Sequence, residues 1–373
     1  MRQSPLALAF APTSAPAADS PGDPCERRGF QVGWDHAQHD LVPPPELLLS
    51  GTPLCQGWLA GKAVFRRRTL NATRSVRLWL QLRITAWRHD IHFEGQQVTP
   101  HYLAQLHVDH CPVTRQTLGG AAGDASSAVL ERLNPLAGYA AGNLVTMSLQ
   151  AAQARVGVTV AQAVRHARRI EVGDETVTGL DASAWWRLAA LMSFAVPASF
   201  HESARLPLAV LPPNRVRLLN AAQGLQALVT RQFGSPGWSA RTRGLAAMLP
   251  EHTLRHDFNL FIGALAPRAL EAGTEPRALR QALEDAWLQD RVQRRWQHFV
   301  LSLGAAACET LLERAAGAGL AGVRTVPHAP AQSIEGWGLE PGSRAPSQRA
   351  AGFAFTAARP PKNRSATSGA RLS

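Results

Sequence analysis

Lysine is almost missing from this chain. Of its 39 Lys and Arg residues only Lys62 and Lys362 are lysine, so positive charge rests on arginine, whose planar fork meets phosphate or carboxylate at two points. Cysteine is scarce as well. Cys25, Cys55, Cys111 and Cys308 are scattered without a CxxC pair, which excludes a disulfide scaffold in a chain this long and points to a reducing, cytoplasmic setting. No apolar run approaches the roughly 18–20 residues of a spanning helix, so no membrane partner is expected. Arg2 and the short apolar Leu6–Ala11 run into APTSAPAADSPGDP, too brief for a secretory signal. Acidic residues are the minority, 27 against 39, leaving a net charge of +12. An arginine- and alanine-rich composition also follows from a biased genome, but the excess favours an anionic partner, with nucleic acid, DNA in particular, first among them.

What is present suits a globular protein of two domains with tails, 373 residues long and 45% hydrophobic. Residues 1–24 are Ala/Pro/Ser-rich and residues 321–373 are Gly/Pro/Ser/Ala-rich and basic, and both read as disordered. Residues 25–61, with Pro43–Pro45 and repeated glycines, read as an irregular arm. The run Leu70–Trp87 fits both an alternating strand and a helical face, and its length without a breaker favours helix. Around it lie Arg66, Arg67, Arg68, Arg74, Arg77, Arg83 and Arg88, interleaved with Trp79 and Trp87. That mixture suits phosphate contact with base stacking, or equally a core helix with a solvated arginine face. Thr99-Pro100 reads as a helix start, and Thr159–Gln162 as a capping box opening a helix through Ile170. Residues 180–320 read as helix after helix, including Arg215–Gln232, Thr253–Leu265 and one long helix over Glu275–Leu303. Trp185, Trp186, Trp287 and Trp296 are assigned to its core. The fold class is α+β and predominantly helical.

The densest chemistry lies between His107 and Arg155. HVDHCPVTRQTLGG is followed by ERLNPLAGYAAGNLVTMSLQAAQAR. Hydrolysing a phosphodiester needs a base to activate water and a divalent cation to neutralise the phosphoryl charge. Histidine suits the first because its ordinary pKa lies near neutrality. Asp and Asn oxygens suit Mg²⁺, which keeps several waters and takes few protein ligands. Asp109-His110 precede a Pro112 turn, the residues from Asn134 to Asn143 have hairpin-turn chemistry, Leu144–Thr146 can return as a strand, and Ser148 can cap a helix ending at Arg155.

In order and spacing these pieces resemble the HNH (ββα-metal) endonuclease family, its phage-type branch in particular. CPVTR spans Cys111–Arg115, ERLNP spans Glu131–Pro135, the GY pair is Gly138-Tyr139, and GNLV spans Gly142–Val145. The resemblance implies a ββα element over residues 100–156, within a module at 62–172, and metal-dependent phosphodiester hydrolysis. It implies His110 as base, Asn143 as catalytic or loop-holding residue, Asp109 and Glu131 as Mg²⁺ or Mn²⁺ ligands, and Arg115, Arg132 and Arg155 on nucleic-acid phosphate. The sequence departs from the family at Glu131-Arg132, where no histidine stands in the hairpin, and at Ala152, nine positions after Asn143, where the family has Asn or His. Two alternatives therefore stand beside hydrolysis: a non-catalytic nucleic-acid-binding protein that keeps the element, and an interaction scaffold. Zinc held by His107, His110 and Cys111 with Cys25, His36 or His39 is a further reading, as are a Cys111 nucleophile beside His110 and a half-site at Asp35-His36 and His39. Asn134, Gly138, Gly142 and Asn143 also suit turn geometry alone.

Overall fold

The computed structural model describes residues 23–121, 123–173, 175–320, 334 and 336–339. Among them lie fourteen α-helices and a single two-stranded antiparallel sheet, a predominantly helical α+β architecture. None of these helices is long and apolar enough to cross a membrane. The disorder expected at 1–24 and 321–373 falls almost wholly outside the described residues. Two compact units divide the chain near Gln105, and the first also takes in Gly138–Ala140 and Trp337. The division cuts across the expected 62–172 module.

The first unit corrects the irregular arm. Residues 25–61 fold largely as helices: α1 is Pro24–Gln38, capped by the Asp23 side chain, and α2 is Pro53–Phe65, capped by Thr52. The glycines that read as breakers are packing surfaces. A Cβ on Gly33 would stand 2.0 Å from Leu54 O, one on Gly57 2.0 Å from Phe30 O, and one on Gly61 2.7 Å from the Ala37 Cβ. Backbone thus lies on backbone along the crossing of α1 and α2, which only glycine permits. Helix α3, Arg74–Arg88, starts at the Thr73 cap and buries Val76, Leu80, Leu82 and Ile84, with Ile84 meeting Val32 and Leu54. A five-residue α4, Pro100–Ala104, follows the Thr99 cap. The Gly138-Tyr139 pair is spent in this unit rather than on a hairpin turn: Tyr139 N donates to His92 O at 2.9 Å and Glu94 N to Tyr139 O at 3.0 Å.

The second unit carries the sheet, with β1 at Ala128–Arg132 and β2 at Leu144–Ser148. Its helices are α5 (Leu149–Arg155), α6 (Val160–Val172, behind the Thr159–Gln162 capping box), α7 (Ala182–Ser193), α8 (Phe200–Arg205), α9 (Ala221–Gln232), α10 (Trp238–Ala247), α11 (His252–Glu271), α12 (Pro276–Ala286), α13 (Asp290–Leu303) and α14 (Ala305–Gly317). Two expectations change here. The helix expected from Arg215 begins only at Ala221, because the preceding residues make long-range backbone bonds, Arg217 N to Gly142 O and Leu219 N to Phe194 O. The long helix over 275–303 breaks at Trp287–Gln289. Trp287 and Trp296 are nine residues apart, which in one helix would set them about 13 Å apart on opposite faces. Here their rings meet at 5.3 Å, and both touch Phe261. Joint burial of the two indoles in one aromatic core requires the break. Both are fully buried, as are Trp185 and, nearly, Trp186.

Candidate functional site

The ββα element is built from β1, β2 and α5. Its strands pair in the register Ala128↔Ser148 through Arg132↔Leu144. Asn143 closes the loop between them: its Oδ1 accepts from Asn134 N at 2.7 Å and its Nδ2 donates to Asn134 O at 3.1 Å, with no part of the residue exposed. Asn134 in turn donates from Nδ2 to Ala195 O. Gly142 beside it has φ +93°, and a Cβ there would lie 2.3 Å from the Arg217 Cγ, so both its conformation and its contact demand glycine.

Helix α5 opens where Ser148 Oγ accepts from Ala151 N and returns Arg155 beneath the hairpin. Arg155 is only 8% exposed. Its guanidinium donates to Arg132 O, to Leu133 O at 3.5 Å and to Glu131 Oε2 at 3.4 Å. Arg132, 7% exposed, donates to Pro135 O at 3.0 Å and Ala137 O at 2.7 Å. Burial pushes the Glu131 carboxyl up from its ordinary value against the pull of Arg155 and Arg132, and burial pushes Arg155 down against the pull of Glu131. Arg132 and Arg155, expected on phosphate, tie down loop carbonyls, and Glu131, expected on a metal, is paired with Arg155.

Asp109, His110, Cys111 and Arg115 form a tight turn closed by Cys111 N to Gln116 O, Arg115 N to Cys111 O and Leu118 N to Asp109 O. The turn is anchored by sulfur. The buried Cys111 Sγ accepts from Ser148 N at 3.2 Å, Ser148 Oγ at 3.2 Å and Thr114 N at 3.4 Å. Its place is therefore the Ser148 end of β2. Glu131 lies three strand residues from the Ala128 opposite Ser148, a separation of about 10 Å along the strand, and Asn143 lies beyond the far end. His110 Nε2 meets Thr117 Oγ1 at 3.2 Å, and the exposed Asp109 stands 3.6 Å from His107 Nε2. Arg115, at φ +60°, grips Asp285 at 2.7 and 2.8 Å and Glu284 at 3.2 Å on α12, so it is a structural ion pair and not a free phosphate contact.

Of the donors expected to hold a divalent cation, Glu131 is paired with Arg155 and both amide atoms of Asn143 are committed, Asp109 is exposed, and Ala152 has nothing to offer. Among the described residues no three His, Cys, Asp or Glu side chains gather to hold a metal, which bears equally on the zinc reading. The buried Cys111 sulfur serves as a hydrogen-bond acceptor.

Charge is available elsewhere. In the first unit Arg66, Arg67, Arg68, Arg74 and Arg77 are exposed, and none has an ion-pair partner among the described residues. The neighbouring aromatics are occupied. Arg83 pairs with Asp35 and lies 4.7 Å from the Trp79 ring centroid, while Trp79 Nε1 donates to Val98 O and Trp87 Nε1 to Cys25 O. The arginine cluster is thus exposed and without ion pairs among the described residues, with its tryptophans committed to the fold. Asp35 is consumed by Arg83, and His36 Nδ1 donates to Val32 O at 2.7 Å. No protein family, curated protein or solved structure compared with the chain matches it.

Proposed function

We propose that this chain is a non-catalytic nucleic-acid-binding protein that keeps an HNH-like ββα element as structure and contacts phosphate, DNA phosphate first, through arginines outside it. One observation carries the reading. The residues that the HNH resemblance assigns to metal and phosphate, Glu131, Arg132 and Arg155, are folded inward on one another and on loop carbonyls, whereas Arg66, Arg67, Arg68, Arg74 and Arg77 stand exposed and without carboxylate partners among the described residues. Five such contacts on duplex DNA correspond to a slope of about −4.5 in log K against log salt.

Metal-dependent hydrolysis remains the second reading, favoured by the adjacent and accessible Asp109 and His110. A nicking assay on supercoiled plasmid with Mg²⁺ or Mn²⁺ separates the two. Binding without nicking is the expected result. Nicking that His110→Ala abolishes would overturn the non-catalytic reading.

A further inference from the structure

Some arginines of the second unit are paired: Arg155 with Glu131, Arg115 with Asp285 and Glu284, Arg268 with Glu271, Arg280 with Glu284. Helix α13 gathers three that are not. Arg291, Arg294, Arg295 and His298 recur at i, i+3, i+4 and i+7, all exposed, and together line a surface concavity of about 330 Å³. The opposite face of the same helix is fixed in the aromatic core by Val292, Trp296, Phe299 and Val300, so the cationic face cannot turn away. The anionic groups against it are few. His298 Nε2 stands 3.4 Å from Asp257 Oδ2 on α11, and Asp290 begins the helix, its backbone carbonyl accepting from Arg294 Nε at 3.4 Å. The three guanidiniums have no carboxylate partner among the described residues.

Fold stability does not account for this arrangement. Arg291 lies in the first turn, where the helix dipole disfavours a cation. The neighbouring pairs Arg291–Arg294 and Arg291–Arg295 set cation beside cation at the spacings where side chains meet, which weakens a helix. An anion bridging the forks reverses both effects, and guanidinium forks match phosphate oxygens in pairs. The apolar lining of an ordinary small-molecule pocket is missing. We infer that the α13 face is a phosphate-binding surface for a chain of phosphate groups, supplied either by a nucleic-acid backbone or by a free oligophosphate. In the first case it deepens the proposed function, resting on that reading. In the second it stands without it.

The test uses the full-length chain with Arg291→Ser, Arg294→Ser and Arg295→Ser combined, and a charge-matched control with Arg66→Ser, Arg67→Ser and Arg68→Ser. Inorganic tripolyphosphate is titrated by calorimetry, and a labelled DNA duplex is titrated by anisotropy across a salt series. The α13 variant is expected to bind tripolyphosphate at least about tenfold more weakly than the control does, with an unaltered or raised melting temperature. A duplex salt slope shallower by about 2–3 identifies the backbone as the source, and an unchanged slope identifies a free oligophosphate. Equal weakening in both variants, or no binding of tripolyphosphate by the wild type, overturns the proposal. If in that event the wild type still binds duplex and the control variant alone flattens the salt slope, the proposed function stands while the α13 site falls. Failure of duplex binding with tripolyphosphate binding intact in all but the α13 variant does the reverse.

Discussion

Replacing Arg155 by methionine separates a structural arginine from one that touches phosphate. The substitution keeps a long apolar side chain while removing the donors that reach Glu131, Arg132 O and Leu133 O. What remains is a Glu131 side chain, 17% exposed, without its partner, beside two carbonyls without donors. Breaking one side of a buried pair costs about 3–5 kcal/mol, because the surviving charge keeps its desolvation penalty. Urea denaturation followed by tryptophan fluorescence measures the loss, and adding Glu131→Gln to Arg155→Met should recover part of it by removing that charge. The pH dependence follows from the same carboxylate. Burial raises the folded-state pKa of Glu131 above its ordinary value, so its contribution to stability is most favourable below the unfolded value and is lost as pH rises through the folded one. Without Arg155 the folded value climbs further, and the deficit of Arg155→Met should shrink as pH falls toward the ordinary carboxylate range. A deficit under about 1 kcal/mol, accompanied by weaker DNA binding, would refute the structural role.

Asn143→Ala should cost about 2–4 kcal/mol in the same urea experiment, since it strands a buried backbone donor and acceptor of Asn134; a loss within error would contradict the loop-closing role drawn from its two hydrogen bonds. Gly57→Ala should destabilise by at least about 1–3 kcal/mol through overpacking, because its Cβ would meet Phe30 O at 2.0 Å. Gly244→Ala, in the middle of α10 with nothing near the added carbon, should instead stabilise by about 0.5–1 kcal/mol, and thermal melts of both variants check the opposite signs. Burial, aided by the charge of His39 and opposed by the Val32 carbonyl, lowers the His36 pKa below 6.5. Its stabilising contribution is therefore present above that value and is lost as pH falls through the depressed one. Melting temperature should drop on acidification below that value, less so in His36→Gln, and identical pH profiles would count against the assignment.

Much of the second unit was legible because its signals are local. The Ser148 cap, the Thr159–Gln162 box and the strand opening at Leu144 each depend on neighbours within a few residues. The paired helices of the first unit were not. A glycine spaced four residues from another reads as a breaker until a second helix is seen to lie on it, and Gly33 and Gly57 acquire their meaning only across the α1–α2 contact. The aromatic core hid the break between α12 and α13 for the same reason, since nothing between Glu284 and Arg291 interrupts a helical pattern. At the candidate site the surroundings of the arginines were not legible in the motif. Arginine usually faces water, yet the carbonyls of Arg132, Leu133, Pro135 and Ala137 draw Arg132 and Arg155 inward. The α13 stripe contains Arg294-Arg295, visible in sequence as a basic pair, but its alignment with Arg291 and His298 depends on the helix phase set by that unseen break.

The proposed function sets nucleic acid on the exposed arginines of the first unit and not on the ββα element. The most direct measurement is duplex affinity against salt for the wild type beside the combined Arg66→Ser, Arg67→Ser and Arg68→Ser variant. The expected wild-type slope is about −4 or steeper, reduced in the variant by about 2–3. A flat wild-type response, or a slope that survives the three substitutions unchanged, would contradict it.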